Sequence, residues 1–103
     1  MSTAVSSTLR EKFTRLAAQW KDESVHMSNT AQMAMLRSYQ NIIGMGEPAV
    51  PLLLEELQRE PDHWFWALES ITSENPVPSE AGGRIDEMAR AWIDWGREKG
   101  YVA

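Results

Sequence analysis

The sequence predicts an all-α fold, and three observations carry that expectation. Apolar residues recur at three- and four-residue spacing in each stretch long enough to form an element. No stretch alternates apolar and polar side chains over a strand length. Glycine and proline signals mostly fall between the periodic stretches, where they separate elements rather than interrupt them.

Five helices follow in order. Thr8 and Glu11 have the spacing of a capping box, and Leu9, Phe13, Leu16, Ala17 and Trp20 continue as one apolar stripe, with Arg10, Lys12, Arg15 and Lys21 mostly outside it. From Lys21 to Ser28 the pattern lapses into a polar link. Ser28 is the expected cap of a second helix running to Ile43, with Met33, Leu36, Tyr39, Gln40 and Ile43 on its inner face. Gly44 and Gly46 stop that helix, and Pro48 opens a third over about 48–60, since proline is welcome in a first helical turn. Ala49, Val50, Leu53, Leu54 and Leu57 share one wide face, and Pro51 still lies in the first turn. Pro61 and Asp62 are a second stop and start, giving a fourth helix over about 62–72 in which Asp62 caps N–H groups beside His63. Asn75, Pro76, Pro78, Gly82 and Gly83 then form a turn-rich link. Ile85, Met88, Ala89, Trp92 and Gly96 line a fifth helix that Gly100 closes.

At 103 residues the chain has the size of one domain, long enough to bury roughly 65% of its unfolded surface without a metal or a disulfide. A single domain over 1–103 is expected, with 1–7 disordered. Cysteine is absent, which excludes disulfides, thiol nucleophiles and thiolate zinc sites and suits a reducing cytoplasm. No apolar run approaches the ~18 residues of a membrane span, and no basic start marks a secretion signal, so no membrane partner is expected. The net charge of −5 is uneven: 1–46 carries five basic and three acidic residues, whereas 47–103 carries five basic and twelve acidic ones. An acidic surface is a poor match for phosphate backbones, so nucleic acid is not expected and a basic protein surface is the better-matched partner. Self-association is equally compatible with this composition.

The run Ile43-Gly44-Met45-Gly46-Glu47-Pro48-Ala49-Val50-Pro51-Leu52-Leu53-Leu54, with Leu57 following at helical spacing, resembles the start of a HEAT-type helical repeat. The resemblance covers roughly 42–71 and implies that the third and fourth helices form an antiparallel hairpin. About 30 residues separate Pro48 from Pro78, similar to the short HEAT-like units of the phycocyanobilin-lyase type, and the stretch is also similar to small bacterial proteins. The implied fold is a short, compact solenoid of two and a half units. Trp64-Phe65-Trp66 is bulkier than the small residues usual in a second repeat helix.

Catalytic chemistry finds no foothold in the pattern. His26 and His63 are the only histidines, and neither has a second ligand at metal-site spacing, so neither a metal nor a cofactor is expected. Glu55-Glu56 and Asp86-Glu87 are neighbours, but adjacent helix residues diverge by about 100° and cannot work as an acid/base pair. The tryptophans are more informative. Trp64, Ala67, Leu68 and Ile71 point one way, while Trp66 points the other way with Glu69 and Ser70; Trp95 sits at the margin of the fifth helix's stripe. Trp66, Glu69, Ser70 and Trp95 are therefore the expected interface residues, because tryptophan is enriched at binding hot spots. The expected function is a non-catalytic protein-interaction module, in its sharpest form an acidic antitoxin or immunity-type inhibitor of a basic partner. The rival is a small-molecule binder or enzyme with an aromatic pocket around Trp64, Trp66 and Trp92.

Overall fold

The computed structural model describes residues 7–102, and every element among them is helical: α1 (Ser7–Ser24), α2 (Thr30–Ala34), α3 (Arg37–Gly44), α4 (Ala49–Arg59), α5 (Phe65–Thr72) and α6 (Ile85–Lys99), with one 3-10 turn over Ser79–Ala81. The expected disorder over 1–7 falls outside the described residues except at Ser7, which is helical. Thr8 is likewise inside α1, so the Thr8–Glu11 pair does not cap it. The link after Trp20 starts later than its composition suggests, because α1 runs on to Ser24, whose hydroxyl donates to the Trp20 carbonyl.

The second predicted helix is two helices. Asn29, rather than Ser28, caps α2, its side chain accepting from the Gln32 N–H. The helical ladder then breaks at Leu36, where ψ is 143°. The Gln40 side-chain amide fills the gap by donating to the Ala34 carbonyl at 2.6 Å. This break resets the helical phase, so α3 buries Ser38, Tyr39 and Ile42, while Gln40 is exposed and Ile43 only half-buried. A single uninterrupted register would have put Gln40 inside.

Helix α4 follows the expected face closely and adds Leu52 to it, so that Leu52, Leu53, Leu54 and Leu57 are all buried. It is covered by α1 on one side and α6 on another. The α6 contact is close because Gly96 lacks a side chain: a Cβ there would lie 2.5 Å from Leu54 Cδ1. The α4–α5 contact is smaller than those of α4 with α6 and of α5 with α3. The whole measures 42 × 29 × 23 Å with a radius of gyration of 13.1 Å, about the value expected for a compact chain of this length.

One aromatic cluster ties the two ends of this arrangement together. Trp20 stands 4.4 Å from Trp64 and 5.4 Å from Tyr39, Tyr39 stacks on Trp64 at 5.7 Å, and Phe13 closes the group at 6.1 Å from Trp64. The Trp20 indole N–H donates to the Met33 carbonyl, so the ring fixes α2 as well as filling space. On the outside, Lys21 reaches from α1 to Glu56, Glu60 and Asp62, and Arg10 pairs with Glu55 at 2.7 Å.

Candidate binding groove

Helix α5 starts three residues later than expected, and its tryptophans keep the directions that helical spacing gives them. Asp62 accepts the His63 N–H at 2.8 Å and so caps the turn before the helix rather than the helix itself. Trp64 occupies the cap position and turns inward, with none of its surface exposed. Tyr39 does the capping instead. Its buried hydroxyl accepts from the Ala67 N–H at 2.9 Å and donates to the His63 carbonyl at 2.9 Å, satisfying two backbone groups at the start of α5 from another helix. Burial is the main cause that pushes the Tyr39 phenol above its usual range; the bond from Ala67 opposes it, and the negative charges of Asp62 and Glu69 add to it.

Held this way, α5 turns Trp66, Glu69 and Ser70 outward on one face, as their i, i+3, i+4 spacing requires. Trp66 is 45% exposed, which is unusual for so large a ring. The three residues form one wall of an open groove of about 650 Å³. Phe65 and, across from it, Ile85 and Met88 at the start of α6 supply its apolar surface, with His63 also lining it. Glu69 is the one carboxylate among the described lining residues, and neither lysine nor arginine joins it there. Among the described residues no ion pair or hydrogen bond engages that carboxylate.

The fourth expected interface residue is elsewhere. Trp95 is 8% exposed, packed edge-on against Trp92 at 5.2 Å and stacked on Tyr101 at 5.5 Å, with its indole N–H donating to Glu74. Its margin position on α6 is covered by the C-terminal tail, which folds back so that the Tyr101 hydroxyl donates to Glu47 at 2.5 Å. Trp95 lines a second depression with Ile71, Thr72 and Glu74. The three tryptophans of the rival aromatic pocket do not line one surface. Trp64 and Trp92 have no exposed surface and belong to the core, and only Trp66 of that trio lines the groove. The indole N–H groups of Trp64 and Trp92 are both buried without a hydrogen-bond partner.

Two other large apolar side chains are exposed among the described residues, Val25 and Met35. Neither lines the groove. No cluster of His, Asp and Glu able to hold a metal occurs among the described residues, and no helix among them is long and apolar enough to cross a membrane. Among the groove residues that sequence periodicity missed are Tyr39, Phe65, Ile85 and Met88. They come from segments far apart in the chain, and no local pattern marks Tyr39 as the residue that caps α5. No family model, curated protein or solved structure matches this chain.

Proposed function

We propose that this protein is a non-catalytic protein-binding module whose docking face is the α5–α6 groove, with Trp66 as its anchor. The observation that supports this reading is the exposure of the Trp66 ring on the wall of a groove floored by apolar side chains. An exposed indole is costly in water, and tryptophans placed this way are typical anchors of protein interfaces. The acidic bias of 47–103 favours a basic partner, the narrower form being an inhibitor of the antitoxin or immunity type that covers a basic surface in the cytoplasm. The HEAT-like character over 42–71 belongs to the same proposal, since repeat helices commonly bind through such surfaces.

Trp66→Ala is the test. It should remove about 2 kcal/mol or more of binding, roughly a 30-fold loss in affinity, while leaving the unfolding midpoint nearly unchanged. Partners co-purified from the native cell by the wild-type protein but lost with Trp66→Ala support the reading. A midpoint lowered by many degrees together with unchanged capture would make Trp66 a structural residue and remove the proposal's basis.

A further inference from the structure

The groove combines three features: an exposed indole, a carboxylate one turn along the same helix that no ion pair or hydrogen bond engages among the described residues, and apolar side chains from the start of α6. Side chains three apart on a helix have Cβ atoms about 5–6 Å from each other, so one planar cation can touch the Trp66 ring and the Glu69 carboxylate at once. We propose that the groove receives an arginine side chain of a partner protein, its guanidinium stacked on Trp66 and paired with Glu69, while apolar neighbours in the same segment rest on Phe65, Ile85 and Met88.

This inference rests on the docking role of the groove and specifies what docks there. Arginine fits better than lysine because the guanidinium is planar, is weakly hydrated, stacks on aromatic faces and still offers N–H groups along its edge to a carboxylate. A lysine ammonium is a compact, strongly hydrated charge that would surrender more hydration to reach the same ring. Charge complementarity points the same way. Among the described residues Glu69 has no cation to neutralise it, and its charge lies close enough to Tyr39 to help raise that phenol. An amphipathic helix with arginine in its apolar stripe satisfies all of these constraints.

The probe is a helical peptide of about 15 residues with one central arginine flanked by leucines at helical spacing, compared with the same peptide carrying citrulline, which keeps the shape and removes the charge. Titration calorimetry at low salt should give about tenfold tighter binding of the arginine peptide to the wild-type protein. With Glu69→Gln the arginine preference should shrink to the roughly two- to fivefold that stacking on Trp66 supplies, and with Trp66→Ala both peptides should be lost. Both positions are exposed, and circular dichroism checks that the variants fold. Equal binding of the two peptides that still needs Trp66 overturns the arginine assignment while leaving the groove a docking site. An arginine preference left undiminished by Glu69→Gln places the cation elsewhere and overturns it as well. Absence of binding by either peptide also overturns it, and Trp66-dependent capture of cellular partners then decides separately whether the docking reading stands.

Discussion

Trp64→Ala is expected to lower the unfolding free energy by about 3–5 kcal/mol. The ring is fully buried and touches Phe13, Trp20 and Tyr39, which belong to α1 and α3, so its removal leaves a cavity where three parts of the chain meet. The expected outcome for Trp64→Phe is milder than its lost volume suggests. The Trp64 indole N–H is buried without a partner, and such a group costs about 1–3 kcal/mol to keep out of water. Phenylalanine removes that cost along with part of the contact area. Denaturant unfolding of the two variants side by side checks the contrast; equal losses would mean that the N–H is solvated.

Leu53→Ala is expected to cost about 2–5 kcal/mol. Leu53 is fully buried on α4, the helix that packs against α1, α5 and α6, and the tight Gly96–Leu54 contact beside it limits how far the surroundings can collapse into the gap. A thermal midpoint unchanged by the substitution would contradict the placement of α4 at the centre of the core. The same variant separates stability from binding, because Leu53 does not line the groove and its loss should leave the affinity of the folded fraction intact.

Helix α4 was legible because both of its ends carry local signals and its leucines repeat without interruption. The exposed direction of Trp66, Glu69 and Ser70 was equally legible, since helical phase alone sets it once α5 exists. Other features depend on contacts between distant residues. Nothing in Met35-Leu36 announces the break between α2 and α3; no glycine or proline stands there, and the gap is filled by the Gln40 side chain. The burial of Trp95 depends on Tyr101 folding back to Glu47, whereas the inward direction of Trp64 follows the stripe it shares with Ala67 and Leu68. The groove itself has one wall legible in periodicity and another brought from α6 by the packing of the chain.

The Tyr39 hydroxyl gives this fold an alkaline limit. In the unfolded chain a tyrosine releases its proton near pH ~10, whereas burial above all holds the folded phenol protonated to higher pH. The neutral phenol's contribution to stability is therefore complete below pH ~10 and declines as pH rises towards the folded value, because the unfolded state gives up its proton first. Tyr101, held up chiefly by its bond to Glu47, adds to the same slope from the opposite side of the molecule. Tyr39→Phe would remove its own share of that slope and leave the share of Tyr101. The proton that Tyr39 retains is the one donated to the His63 carbonyl, so the same pH range bears on the bond that ties α3 to the start of α5, the helix that carries Trp66 and Glu69.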